Sequence, residues 1–298
     1  MLLWIKKNIK YLFLVALFGA AVLVWCAVFA ESRSGLMVAF LDVGQGDAIF
    51  IQAENGNQVL LDGGPNKAVL SQIAEIMPFY DRSIDLLILS HPHADHLAGL
   101  IEVLKRYNVG GIIESGNENN TPEYREWENL IETKKIPRVL GKRGTRINID
   151  ENLFLNILLP ARIATQSVAG GPVGDVRNSD AHGAMLVSKL NYAKTSYLLA
   201  GDMAKPLENY LVSLEGSRLK SDVLKVGHHG SNKSTSESLL GFASPQYAVI
   251  PVGKDNSYGH PHKETLEILN RFGIKIFRTD ENGMIETKSD GENLTVVK

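Results

Sequence analysis

The chain has 298 residues, 44% of them hydrophobic and 21% charged, with a formal net charge of -2. That composition suits one large or two modest globular domains with a sizeable core, and it excludes a protein whose whole surface grips nucleic acid, leaving room only for a local basic patch. The single cysteine, Cys26, rules out an intrachain disulfide and leaves no thiolate ligand in the remainder of the chain.

Lys6, Lys7 and Lys10 precede an uncharged run from Tyr11 to Ala30, which Glu31 and Arg33 close. A run of that length at helical rise spans a hydrocarbon core, and the three lysines predict a cytoplasmic N-terminus with everything after residue 31 outside. A cleaved signal peptide is the competing reading, because Val28-Phe29-Ala30 carries tolerated residues at the cleavage positions. The run is long for a signal peptide's apolar region, and Trp25 before Cys26 argues against a lipoprotein site. The expected division is therefore a membrane anchor over 1–34 and a second unit over 35–298. A buried core helix is disfavoured, since the segment is apolar all round and terminal.

Beyond the anchor the pattern reads strand, turn, strand: Leu36 to Leu41, a Gly-rich turn Asp42-Val43-Gly44-Gln45-Gly46-Asp47, then Ala48 to Ile51 and Val59 to Leu61, broken by Asp62-Gly63-Gly64-Pro65. The turn lacks the Lys-Ser/Thr of a P-loop and the spacing of a dinucleotide fingerprint. A helix is predicted over Lys67 to Met77, a buried strand over Ile84 to Leu89, and a second helix with one apolar face marked by Leu97, Leu100, Ile101 and Leu104. Thr121-Pro122-Glu123 opens a helix that runs to Thr133. Lys134 to Arg146 then holds Lys134, Lys135, Arg138, Lys142, Arg143 and Arg146 with no acidic residue, which reads as a solvated loop face or as a phosphate-backbone contact.

Leu153 to Leu159 is another strand, and Ala169 to Gly183 reads as a loop. Paired strands at Met185 to Leu190 and Ser196 to Ala200 lead to Gly201-Asp202; a helix follows near Leu207 to Leu214. A strand at Asp222 to Val226 ends in Gly227-His228-His229-Gly230-Ser231, and strands at Tyr247 to Val252 and Ile274 to Thr279 flank a helix from Lys263 to Phe272. Strands and helices alternate, as in a layered arrangement, and polar residues gather at strand ends, where such sheets present ligands.

The chemistry concentrates in Ser90-His91-Pro92-His93-Ala94-Asp95-His96, between the buried strand and the amphipathic helix. Three imidazoles and a carboxylate at a strand-to-helix switch point to a metal, because a plain turn would use Gly, Asn or Asp. His91 and His93 in extended backbone share one ion, while Asp95 and His96 at the helix start address a second. Asp202 is the candidate for a carboxylate that bridges both, and one of His228 and His229 completes the ligand set of the second ion, leaving the other to meet substrate. Two divalent ions about 3.5–4 Å apart lower the pKa of a shared water and clamp the oxygens of an in-line displacement, which describes hydrolysis. No G-x-S-x-G stretch supplies a serine nucleophile. His260, in Asn256-Ser257-Tyr258-Gly259-His260-Pro261-His262, is read either as a group that binds the phosphoryl or protonates the leaving group, or as an exposed capping histidine.

His-Pro-His-Ala-Asp-His at 91 to 96 resembles the hallmark of the metallo-β-lactamase superfamily. Within it the chain is similar to the extracytoplasmic hydrolase domain of the ComEC family of DNA-uptake channel proteins, through four further stretches: Leu41 to Ala48, Leu199 to Asp202, Asp222 to Ser231 and Gly253 to His262. The resemblance covers about residues 36 to 298. It implies an α+β fold, a four-layer αββα sandwich after one N-terminal transmembrane helix, with Asp62 as an organiser behind the ligands and Asp202 as the bridging carboxylate. It also implies nuclease or phosphodiesterase activity with two divalent ions, zinc or manganese, with catalytic roles for Asp95, Asp202 and His260 and substrate contacts from Lys225, Ser231 and His260.

Two departures stand out. The chain has one apolar segment and not a multi-span channel region, so transport through it alone is not expected, and a separate uptake channel is the expected partner. Relatives usually place an Asn-rich stretch before the strand leading to Gly-Asp, where this chain has Asn178-Ser179-Asp180-Ala181-His182-Gly183; His182 is either a third imidazole for the first ion or an incidental loop residue. The expected function is a membrane-anchored extracytoplasmic hydrolase of DNA. A hydrolase of another phosphodiester, such as one in the cell wall, and a non-catalytic DNA-binding accessory of an uptake channel are the alternatives.

Overall fold

The structure, a computed structural model, describes residues 2–31, 35–161 and 184–297. The stretch 169–183 with His182, expected to be a loop, lies outside the described residues.

Helix α1 (Leu2–Glu31) is followed by β1 (Leu36–Phe40), β2 (Ile49–Gln52), β3 (Gln58–Leu61), α2 (Ala68–Ile76), β4 (Ser83–Ile84), β5 (Leu86–Leu89), α3 (Ala94–Arg106), β6 (Asn108–Val109), β7 (Ile112–Glu114), α4 (Pro122–Lys134) and β8 (Arg138–Leu140). The second half runs β9 (Arg146–Asn148), β10 (Leu153–Leu159), β11 (Val187–Tyr192), β12 (Thr195–Leu199), α5 (Lys205–Glu215), β13 (Val223–Lys225), α6 (Glu237–Ala243), β14 (Tyr247–Ile250), α7 (Lys263–Arg271), β15 (Lys275–Arg278), α8 (Thr279–Asn282), β16 (Ile285–Ser289) and β17 (Leu294–Val296). Among the described residues α1 is the one helix long and apolar enough to cross a membrane, and its window Asn8–Trp25 is not buried within the protein.

Two mixed sheets form the centre. One has the order β17-β16-β1-β2-β3-β5-β7-β8 and the other β15-β14-β13-β12-β11-β10-β9. Strand side chains alternate between faces, and this alternation builds the layers. Val38, Phe40, Ile49, Ile51 and Ile88 of the first sheet meet Leu155, Ile157, Tyr197, Leu199, Val223 and Val249 of the second in the central core. The intervening residues Ala39, Phe50, Leu60, Leu87 and Leu89 point outward under α2, α3 and α4, against Val69, Ile73, Leu97, Leu100, Leu104 and Trp127. On the other side Leu198, Leu224, Ala248 and Ile250 lie under Leu207, Leu211, Leu239, Leu240 and Leu269. The result is helices, sheet, sheet, helices: the αββα sandwich. Each fully buried Leu, Ile or Phe in these cores stabilises it by about 1.5–3 kcal/mol relative to exposure.

Local signals account for several boundaries. Thr121 caps α4 by accepting the Tyr124 N–H at 3.2 Å, with Pro122 in the first turn; Ser236 caps α6 in the same way, accepting Leu239 N–H at 3.2 Å. The basic run 134–146 is not simply a loop, for it contains edge strand β8, which pairs in parallel with β7, and the start of β9. The chain's last strands were not anticipated: β16 pairs antiparallel with β1 across the full register Leu36 to Ser289 and Phe40 to Ile285.

Candidate metal centre

The two sheets present their functional residues at one end. Parallel strands β3 and β5 run into Asp62 and into Ser90-His91, and parallel strands β12, β13 and β14 run into Asp202, His228-His229 and the 251–260 loop. Carboxyl ends of parallel strands are where open sheets leave a crevice.

Two glycine contacts seat α3. A Cβ on Gly99 would lie 1.7 Å from the Gly63 carbonyl oxygen, so only glycine lets α3 settle on the Asp62-Gly63-Gly64 turn, where Gly63 N–H donates to His96 O at 2.7 Å and Gly99 N–H to Gly64 O at 2.9 Å. The Gly-rich turn before β2 serves the same end: a Cβ on Gly46 would lie 2.3 Å from Asp95 O. That turn therefore lies against the start of α3.

Asp62, fully buried with φ +59°, organises the histidines from behind. Its Oδ1 accepts Ser90 N–H at 2.7 Å, and its Oδ2 accepts the Ser90 hydroxyl at 2.6 Å and lies 2.8 Å from His96 Nδ1. A carboxylate only accepts, so His96 Nδ1 carries a proton and Nε2 is left to face Asp202 Oδ2 at 3.3 Å. Because the Ser90 hydroxyl donates to Asp62, its lone pair accepts from His91 Nδ1 at 3.0 Å, which turns His91 Nε2 to His93 Nδ1, 3.1 Å away.

His228 and His229 both adopt left-handed backbone, φ +46° and +53°, a conformation costly for residues with a Cβ and one that clusters at functional sites. It sends the two rings different ways. His229 is buried, its Nδ1 donating to Pro251 O at 2.9 Å, and its Nε2 points at Asp95 Oδ2 (3.5 Å) and Asp202 Oδ2 (3.7 Å). His228 stays on the wall, Nε2 3.9 Å from Asp202 Oδ2. Of the pair, it is His229 that joins the cluster.

Ligand atoms of Asp95, His96, Asp202 and His229 all lie within 4.8 Å of one another. Two carboxylates and two imidazoles suit a divalent metal ion. Each imidazole has its other nitrogen tied to a carboxylate or carbonyl, as metal-bound histidines do, and the buried His229 Nε2 faces only the carboxylate oxygens of Asp95 and Asp202, at 3.5 and 3.7 Å, with no well-formed hydrogen bond among the described residues. The residues present fit a metal.

The electrostatics follow. Burial would lower the His96 imidazole, but Asp202 and Asp62 outweigh it and hold it well above its ordinary value; burial likewise opposes His229, which Asp202 and Asp47 carry up to about 9. Burial would raise Asp202, yet His229, His96 and Lys225 bring it well below the usual carboxylate range. Excess negative charge at this point is therefore balanced by whatever cations are to hand.

Residues 41–254 match the sequence family described as the metallo-beta-lactamase superfamily. The chain belongs to the metallo-β-lactamase superfamily. It is 30% identical over 266 residues to ComE operon protein 3 of Bacillus subtilis (strain 168), covering 84% of this chain and 32% of that protein. Against Recombination protein 2 of Haemophilus influenzae it is 30% identical over 269 residues, 89% of this chain and 30% of that one. Competence protein ComA of Neisseria gonorrhoeae is 29% identical over 255 residues, with 84% and 32% covered. The chain thus spans about a third of the length of these relatives. Among solved structures, CmlA, a diiron β-hydroxylase from Streptomyces venezuelae, superposes with a TM-score of 0.54 at 13% identity over 86% of this chain and 54% of that one, a likeness of fold alone.

In this metallo-β-lactamase chain the cavity at the strand ends, about 170 Å³, is lined by Gln45, His93, Asp95, Asp202, His228, His229, Tyr258 and His260. His91 lies beside it, its ring centroid 4.1 Å from that of His96. His260 is on the cavity wall and not a helix cap; His262 holds the N-cap position of α7. Burial, and then His228, His229 and His262, push the His260 imidazole down to about 4. His182 lies outside the described residues.

Two residues expected at the substrate are placed elsewhere. Lys225 is fully buried beneath the cavity, its Nζ donating to Gly201 O at 2.7 Å, ion-paired with Asp47 and 3.5 Å from Asp202 Oδ1. A long cation at a strand end is exposed only if no carboxylate waits inside, and here two do. Ser231 is buried too, its hydroxyl accepting Lys233 N–H at 3.3 Å in its own turn. Sequence reasoning passed over Asp47, Ser90 and Gln45. Asp47 closes a glycine turn that runs straight into a buried strand, a place where an unpaired acid is rare, and that was the available signal.

Proposed function

We propose that this chain is a membrane-anchored, extracytoplasmic, metal-dependent phosphodiesterase that cleaves DNA, with its anchor in residues 1–34 and its hydrolase domain in 35–298. The observation that carries the hydrolase reading is the convergence of Asp95, His96, Asp202 and His229 from three separate strand ends, those of β5, β12 and β13. His91, His93 and Asp202 would hold one ion, and Asp95, His96, His229 and the same Asp202 a second. Such ions supply Lewis acidity toward phosphoryl oxygens and lower the pKa of water. The chain's own groups do the rest: Asp62 fixes the Ser90 and His96 orientations, Lys225 holds Asp202 from beneath, and His228 and His260 offer ring nitrogens to a phosphoryl group entering the cavity.

DNA as the substrate is supported by two relatives, one named for recombination and one for competence. The apolar run within helix α1 and the lysines that precede that run in the same helix support anchoring with the domain outside. The test is the full chain in detergent, supplied with manganese or zinc, assayed on single- and double-stranded DNA beside His93→Ala and Asp202→Asn. Wild type should cut and both variants should not. Equal cutting by all three would remove the site assignment. Hydrolysis of a small diester without DNA cleavage would move the substrate to another phosphodiester, and DNA retention without hydrolysis would make the chain a binding accessory.

A further inference from the structure

We infer that Tyr258 is a stacking platform for a nucleobase beside the scissile phosphate, so that the site selects nucleic acid whose bases are unpaired. This rests on the phosphodiesterase reading above and adds a residue that recognises the base.

The cavity holding the carboxylates and imidazoles measures about 170 Å³, well under the ~300–1,000 Å³ of pockets that enclose a whole small-molecule ligand. It admits a phosphoryl group and leaves the attached nucleoside outside, at the rim. Tyr258 stands at that rim: it lines the cavity with Asp202 and His228, yet the residue is 66% exposed. An aromatic ring so exposed is unusual in a loop that packs against the site, and this one is not loose. Its inner face is stacked on His260, centroids 5.7 Å apart and planes 24° from parallel, which leaves the outer face open.

The loop is built to hold the ring there. Asn256 Oδ1 accepts Tyr258 N–H at 3.2 Å and His260 N–H at 3.0 Å, while its Nδ2 donates to Gly253 O at 3.0 Å and His260 O at 2.6 Å. Gly253 N–H donates to Gln45 Oε1 at 3.1 Å, and a Cβ on Gly253 would lie 2.6 Å from Gln45 N, so the loop is pinned to the opposite wall of the cavity. A pre-positioned aromatic face next to a phosphate-sized cavity matches how proteins hold single strands, since every base has a π-face and stacking tolerates any sequence. In a duplex that face of the base is covered by its neighbours, so the platform is reached only by an unstacked base.

The experiment compares the metal-loaded full chain on a thymidine oligomer and on a chain of stable abasic residues of equal length, which carry the same phosphate charge. Wild type should favour the thymidine oligomer in kcat/KM by roughly 5- to 100-fold, the range expected for one base–aromatic stack. Tyr258→Ala should bring the two substrates level, mainly through KM, and Tyr258→Phe and Tyr258→Trp should restore the preference. An undiminished preference in Tyr258→Ala, a Phe variant as poor as Ala, or faster cutting of duplex than of single strands would each overturn the assignment. Failure of wild type to cut either oligomer would instead overturn the phosphodiesterase reading beneath it.

Discussion

His96 lies between two carboxylates, its Nδ1 2.8 Å from Asp62 Oδ2 and its Nε2 3.3 Å from Asp202 Oδ2. The first contact fixes the Nδ1 proton and the ring plane, and the second aims Nε2 at the place where a cation would sit. The ring cannot rotate without losing both, which is how a carboxylate behind a histidine sharpens it as a ligand.

Asp62→Asn should therefore weaken metal binding by about 10- to 100-fold without touching any group that faces the cavity. Calorimetric titration of the apo full chain with zinc or manganese reads this directly. Affinity equal to wild type would mean that His96 needs no support from behind.

Lys225 bears on stability before it bears on substrate. Its ammonium is buried, burial opposes its charge, and Asp47 and Asp202 raise it above the ordinary lysine value. Lys225→Met leaves two buried carboxylates without their cation, and breaking such a group from one side costs about 3–5 kcal/mol. Urea unfolding should show that loss; a variant of wild-type stability that lost only DNA affinity would return Lys225 to substrate contact.

Glu208 holds the turn that follows the histidine pair, accepting Thr235 N–H at 2.7 Å and Ser236 N–H at 2.6 Å. Glu208→Ala should cost about 1–3 kcal/mol through the two N–H groups left unpaired. Burial raises the Glu208 carboxyl above its ordinary 4.5, the bonds from Ser236 and Thr235 offsetting only part of it. The folded state then binds the proton more tightly than the unfolded chain, so this contribution is full below 4.5 and is lost as pH rises through the raised value. Unfolding curves across that window should show wild type losing ground to Glu208→Gln as pH rises, and the opposite trend would refute the assignment.

Four of the six residues of the basic run are committed within the molecule. Arg143 pairs with Glu215 at 2.7 Å, Arg138 with Glu114 at 3.1 Å, the Arg146 guanidinium lies 3.5 Å over the Phe154 ring, and Lys134 donates to Leu104 O. Reversing Lys142 and Arg143 to Glu should lower stability by about 1 kcal/mol, through like charge against Glu215, and should leave the salt dependence of DNA binding unchanged. A slope shallower by about one for each lost contact would make the run a phosphate-binding surface.

Much of this protein was legible before any fold was in view. A near-continuous apolar run announced Leu153–Leu159, the turn residues Gly and Asp marked where strands stopped, and the Thr121-Pro122 cap placed α4. His91, His93, Asp95 and His96 stand out because ligands this close in sequence need only one strand-to-helix switch to share a cavity. What lies far apart was not readable. The pairing of β16 with β1 joins the two ends of the domain, and nothing local in either strand names its partner. The choice of His229 over His228 rests on two left-handed residues and a carbonyl from β14's end, and the descent of Lys225 into the core rests on Asp47, far away in sequence. Sequence determined which chemical groups were available and at which strand ends they sat; tertiary packing alone decided which of them turn inward, because inward and outward differ by one backbone dihedral or by one buried counter-charge.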